Sequence, residues 1–292
     1  METTPLFTLV PTLESQAHYV DRKFCGVTGL EIGDFAMKHK INMLNSGHAG
    51  TGKTSYAQFY ASQRQLPYVS LPSNSALSAN ELQGNWVSRD GKLDWVDSVY
   101  VEVWRNGGVL NLGEIDQLSK NAQYFFHEGL DHRRSLTLTA KDYEVVKAHP
   151  DLIIIGDWNP MYRGRQPLSE SWADRFQLKL RYEYDRKIEE KFIKSGALLD
   201  LAFGMRSQSR GVDLGQASKS TVFETPITPR ILKTFELIAT ELNFDLACEV
   251  FANNFTEEER PAVKMLLEGA SFNIKDDLKL DQELITTQYA NV

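Results

Sequence analysis

The stretch of the chain with the clearest chemistry is GHAGTGKT, residues 47–54, which fits the spacing G-x-x-x-x-G-K-[ST]. Gly47, Gly50 and Gly52 let the backbone curl, so that successive N–H groups, those of His48, Ala49 and Thr51 among them, turn inward on a polyphosphate. The helix KTSYAQFYASQ that opens at Lys53, with Ser55 in its first turn, adds the positive end of its dipole. Lys53 is placed to reach the β- and γ-phosphates, and Thr54 to offer its hydroxyl to Mg²⁺. The chemistry expected is binding of ATP with Mg²⁺; the competing reading is a structural turn that holds no ligand.

Two strand ends add groups that act on a phosphate. GGVLNLGEIDQL is an apolar run ending in Glu114 and Asp116. A carboxylate there suits polarising a water for attack on the γ-phosphate, which makes Glu114 the candidate base. The alternative is a solvent-facing acid. DLIIIGDWNP is a buried-type strand carrying Asn159 at its carboxyl end, where ligands gather in doubly wound sheets. A neutral amide there can hold the attacking water or the phosphate; an Asn-Pro turn is the other reading.

These groups need an α/β scaffold, and the patterning supplies one. Short apolar strands at Ile41–Asn45, Tyr68–Leu71, Val109–Leu112, Leu152–Gly156 and Phe176–Leu180 alternate with helices, the pattern of a mostly parallel five-stranded sheet with helices on both faces. An amphipathic helix, GLEIGDFAMKHK, precedes the first strand. After Asp185 the chain turns helical, with a charged helix DRKIEEKFIKSG, a second from Thr228 and two more towards Gly269, which together predict a small α-helical lid. The domain limits expected are 1–40 for an extension and helix, 41–184 for the nucleotide-binding core, 185–273 for the lid and 274–292 for a loosely packed polar tail. SQSRGVDLGQASKS joins the halves as a Gly/Ser/Gln-rich loop. Two segments read as hairpin insertions: Trp86–Val96, with Asp-Gly between alternating apolar positions, and SLTLTAKDYEVVKA.

Composition sets the outer bounds. The 292 residues are 42% hydrophobic and 24% charged, enough for a real core, which excludes wholesale disorder and a disulfide scaffold. With 32 basic against 39 acidic side chains the net charge is −7, which disfavours general attraction to nucleic acid. Cys25 and Cys248 lie in no metal or redox pattern and read as reduced thiols of a cytoplasmic protein. The N-terminal residues lack a signal-peptide pattern, and no apolar run of about 18 residues marks a membrane span.

Taken in order, GHAGTGKT, NELQGNW, GGVLNLGEID, DWNPMYRGRQPLSESWADRF and ITPRILK resemble the MoxR-like, dynein-related branch of the AAA+ ATPases, from about Met43 to Ile238. The resemblance implies an AAA+ core with a helical lid, ATP hydrolysis, and a homo-oligomeric ring, commonly hexameric, with ATP at subunit interfaces. It places Asn159 at the sensor-1 position, Arg175 at the arginine finger that reaches a neighbour's γ-phosphate, and Arg230 at the sensor-2 position of the lid. A salt bridge to Asp174 or a nearby acid is the plain reading of Arg175. Thr228 as a cap and Pro229 in the first turn set Arg230 against the helix dipole, a cost that bound phosphate would offset; the bland reading is a surface Arg. The hairpins fall where this branch faces its central pore, so Trp86 and Trp95 are candidates for gripping a client, although a cross-strand pair that merely stabilises the hairpin is the simpler reading. The resemblance also implies a protein client, of a kind carrying a von Willebrand A-type domain or a metalloenzyme awaiting its cofactor.

One departure stands out. The family usually has Asp-Glu where this chain has Gly113-Glu114, and that Asp helps hold the Mg²⁺ shell. Asn111 shares its strand face but sits about 6.6 Å further back. ATP binding is therefore expected to be intact and hydrolysis slow or partner-dependent. A nucleic-acid motor and a non-hydrolysing, nucleotide-gated assembly factor remain as alternatives. His127 and His132, flanking Glu128 and Asp131, read as surface or lid-facing residues, and Arg163–Arg165 as a solvated loop.

Overall fold

The computed structural model describes residues 10–13, 19–71, 78–160, 168–208 and 223–280. The Arg163–Arg165 cluster, most of the Gly/Ser/Gln-rich loop and the last twelve residues, 281–292, lie outside them. The chain divides into two compact units, one of residues 1–47 and 52–182, the other of residues 48–51 and 183–292.

The first unit is built on five parallel strands: β1 (Met43–Gly47), β2 (Tyr68–Leu71), β3 (Gly108–Leu112), β4 (Leu152–Trp158) and β5 (Leu178–Tyr182), in the order β5-β1-β4-β3-β2. β3 is buried along its whole length and β4 nearly so, as their unbroken apolar runs require of strands covered on both faces. On one face Met43, Val109, Ile153 and Ile155 pack with Ala36 of α1 (Gly29–His39) and with Tyr56, Ala57 and Tyr60 of α2 (Lys53–Arg64). On the other, Leu44, Leu110, Leu112 and Ile154 pack with Trp104 of α3 (Val99–Asn106) and Phe126 of α4 (Lys120–His127). β1, β4 and β3 are side by side at the centre, so their carboxyl ends line up.

Two antiparallel hairpins project from this unit. The outer one pairs Gly84–Arg89 with Lys92–Asp97 through Asp90 (φ 50°) and Gly91 (φ 76°), the two left-handed residues a tight hairpin turn demands. The inner one pairs Ser135–Leu138 with Glu144–Lys147. Three contacts join them. Trp86 Nε1 donates to Ala140 O at 3.1 Å, Arg105 donates at 2.7 Å to both Asp97 and Glu144, and the Lys141 ammonium lies 5.8 Å from the Trp95 ring centre.

In the second unit α5 (Gly196–Ser207), α6 (Pro229–Glu241), α7 (Phe244–Ala252) and α8 (Arg260–Leu278) enclose Leu199, Leu232, Phe235, Phe251 and Leu267. Two expectations are corrected here. The charged segment after Asp185 forms only a short helix, Arg186–Glu189, because Glu189 turns inward to a buried ion pair with Arg206 at 2.9 Å. Ile274 is fully buried and α8 runs on to Leu278, so packed structure extends past the tail boundary placed at residue 274. Among the described residues no helix is long and apolar enough to cross a membrane.

Candidate active site

The phosphate loop leaves β1 at Gly47, whose φ of 142° brings its Cα so close to β5 that a Cβ would stand 2.0 Å from Tyr182 O. Only glycine fits. At the far end Gly52 (φ 91°) starts α2 without any side-chain cap, which leaves the first-turn amides for an anion. Lys53, 7% exposed, donates from Nζ to Gly47 O at 2.9 Å, so its ammonium is folded back across the loop.

Thr54 is where the structure departs most from the sequence reading. Its hydroxyl donates to Asp157 Oδ2 at 2.8 Å, and the other oxygen of that carboxylate accepts the Glu114 N–H at 2.9 Å. Asp157 is 4% exposed, near the end of β4. Glu114 occupies the left-handed region (φ 43°, ψ 59°), uncommon for a side chain other than Gly, Asn or Asp, and the bond to Asp157 holds its peptide there. The sequence reading passed over Asp157. Its signal was lateral: β3 and β4 run parallel with Leu112 beside Gly156, so the next residues, Gly113 and Asp157, are neighbours. Asn111 turns to Ser70, its Nδ2 3.4 Å from the hydroxyl.

Asn159, 8% exposed, follows two residues after Asp157. Lys53, Thr54 and Glu114 are thus linked in one neighbourhood by α2, β3 and β4. Arg175 is held elsewhere in the same unit: Nε donates to His127 O at 3.2 Å, one terminal nitrogen lies 3.0 Å from His127 Nδ1, and the other bonds the Ser171 backbone and hydroxyl. Its described partners include neither Asp174 nor any other carboxylate, and His127, half-buried at the end of α4, is a support for this Arg. Asn42 adds a second support by donating to Arg175 O at 2.8 Å.

Residues 48–51 group with the helical unit. The His48 ring stacks on Tyr184 at 5.1 Å, the Tyr184 hydroxyl donates to Ala49 O at 3.0 Å, and Thr51 Oγ1 donates to His48 O at 2.8 Å. Burial pushes the Tyr184 hydroxyl up to about 12, which keeps its proton on and the bond to Ala49 made. The Arg206 guanidinium also lies over the Tyr184 ring, at 3.8 Å. A Cβ on Gly50 would stand 3.0 Å from Thr228 and 3.1 Å from Pro229. Arg230 follows on the first turn of α6, exposed, after the Thr228 cap.

All donors at Thr54 and Asp157 are oxygens, the chemistry a hard cation such as Mg²⁺ prefers. Among the described residues no group of three or more His, Cys, Asp and Glu side chains could hold a metal by itself, so such a cation would be shared with phosphate oxygens.

Comparison with known proteins finds a family model and several relatives that this chain resembles. Residues 42–176 match the AAA domain of the dynein-related subfamily. The chain is 28% identical to the denitrification regulatory protein NirQ of Pseudomonas aeruginosa over 86% of its own length and 97% of that protein's. It is 26% identical to protein NorQ of Paracoccus denitrificans, covering 72% and 83%, and 29% identical to protein CbbQ of Hydrogenophilus thermoluteolus, covering 50% and 55%.

Proposed function

We propose that the chain is a member of the dynein-related, MoxR-like branch of the AAA+ ATPases, which the match over residues 42–176 and the likeness to NirQ and NorQ support, and that it couples ATP hydrolysis to the remodelling or activation of a protein partner. The observation that carries this reading is the linkage of Thr54, Asp157 and Glu114 beside Lys53. Amides of residues 48–52 and Lys53 bind the phosphates. Glu114 takes a proton from the attacking water as the new P–O bond forms and the bond to the ADP oxygen breaks, and Asn159 orients that water. Mg²⁺, held by Thr54 and the phosphates, would supply neutralisation of the charge developing on the phosphate oxygens. Arg175 acts on a neighbour's ATP within a homo-oligomeric ring, a hexamer in this reading, and Arg230 of the helical lid takes part in nucleotide binding.

Turnover in this reading is slow or partner-dependent, as Gly113 in place of the acidic-strand Asp leads one to expect. Dependence on assembly and partner remains, because Arg175 must come from another subunit. The regulatory role in the NirQ name supports a partner-directed activity; a client with a von Willebrand A-type domain, or a metalloenzyme awaiting its cofactor, in the cytoplasm, completes the proposal. The test is Glu114→Gln. It is expected to retain ATP, to lose turnover by about 100-fold or more, and to hold its client under affinity capture. A wild-type protein that binds no adenine nucleotide overturns the proposal.

A further inference from the structure

A phosphate-loop hydroxyl and a strand-end carboxylate share the work of holding the nucleotide's cation in this class of site. The β3 end offers no such carboxylate, since Gly113 has no side chain. Side chains alternate along a strand, so Gly113 shares the face of Val109, and Asp157 that of Ile155, the face covered by α2. The two residues each stand one step beyond the last rung of the β3–β4 ladder, Leu112 beside Gly156, where adjacent strands lie about 4.8 Å apart. The carboxylate has moved one strand sideways and still meets Thr54. Gly113 fits the exchange: a Cβ there would press on Leu71 O at 3.3 Å, and a second carboxylate would face the first. Asp157 is also a buried acid whose described bonds come from neutral donors, the Thr54 hydroxyl and the Glu114 amide. A buried carboxylate without a cation is costly.

We propose that Asp157 supplies the protein carboxylate of the Mg²⁺ site, in place of the acidic-strand residue that Gly113 lacks, and ties that site to the peptide of Glu114. The inference rests on the nucleotide reading above, which uses Asp157 only as the link between Thr54 and Glu114, and gives that residue a metal-holding role of its own.

The test measures binding, not turnover. Affinity for ATPγS is titrated with Mg²⁺ and again with EDTA, and Mn²⁺ bound in the ATPγS complex is counted by electron paramagnetic resonance. Asp157→Asn keeps an acceptor for the Glu114 amide and removes the charge. Its affinity with Mg²⁺, and its Mn²⁺ affinity, are expected to fall about 10- to 100-fold, the usual effect of losing a group that supports a metal site, while affinity in EDTA stays within about threefold. The double variant Gly113→Asp/Asp157→Thr is expected to recover the metal-dependent part lost in Asp157→Thr. An Asp157→Asn protein with undiminished Mn²⁺ affinity, or one weakened equally with and without metal, overturns the proposal and leaves nucleotide binding standing. A folded double variant no better than Asp157→Thr also overturns it. Wild-type protein that binds ATPγS under neither condition sinks the underlying reading instead.

Discussion

The two hairpins of the first unit are built alike and used differently. The inner one sends Leu136, Leu138 and Val146 into the core beside Trp104 and Phe126, each at most 2% exposed. The outer one keeps Trp86, Val87 and Leu93 in solvent, Leu93 at 68% exposure, while Trp95 meets Trp86 edge to face at 5.4 Å and packs its own side on the core. Apolar side chains that bury nothing add little to folding. The inner hairpin is thus part of the scaffold, and the outer one carries at Trp86, Val87 and Leu93 apolar surface that folding does not consume, which supports the client-gripping role proposed for Trp86, while Trp95, packed on the core, fits the simpler reading of a pair that stabilises the hairpin.

Substitutions sharpen this contrast. Leu136→Ala is expected to cost about 2–5 kcal/mol in chemical denaturation, the range for a fully buried Leu; a cost no larger than that at Leu93 would erase the distinction. Arg105→Ala, which removes the bridge between Asp97 and Glu144, is expected to cost about 1 kcal/mol, since the guanidinium is 30% exposed. Trp86→Ala is expected to lose about 0.5–1 kcal/mol of pair energy, with a far larger loss in client capture by the Glu114→Gln trap. Leu93→Ser should lie within about 0.5 kcal/mol of wild type and still weaken capture.

The smallest effect is in pH. Bonds from Lys141, then Arg105, hold the Glu144 carboxyl below its usual range. A depressed carboxyl contributes stability that is complete above the unfolded-state value, about 4.3, and is lost as pH falls through the folded one. Acidification below about pH 4 should therefore loosen the link between hairpins, and Arg105→Ala should flatten that loss in a titration of stability.

Local chemistry made much of this legible in the sequence. Glycine spacing announces the phosphate loop because only glycine tolerates Gly47's approach to Tyr182, and Asp90-Gly91 announces the outer turn because both residues need positive φ. β2 spans the residues expected, and the other core strands are displaced by at most two. What the sequence hid was lateral or long-range. Asp157 meets Thr54 from 103 positions away; Arg175 finds His127 48 residues back; and the helix expected after Asp185 breaks off because Glu189 answers Arg206 in tertiary space. Patterning along one strand registers none of these.

The three contacts between the hairpins also define a mechanical path. A pull on Trp86 is delivered through its indole N–H to Ala140, and one on the strand behind it through Asp97 and Arg105 to Glu144. Each link is a single hydrogen bond or ion pair, too short to stretch far before it bears tension. The outer hairpin is therefore tied at three points to the one that carries Leu136 and Val146, and is not joined to the unit by its strand ends alone.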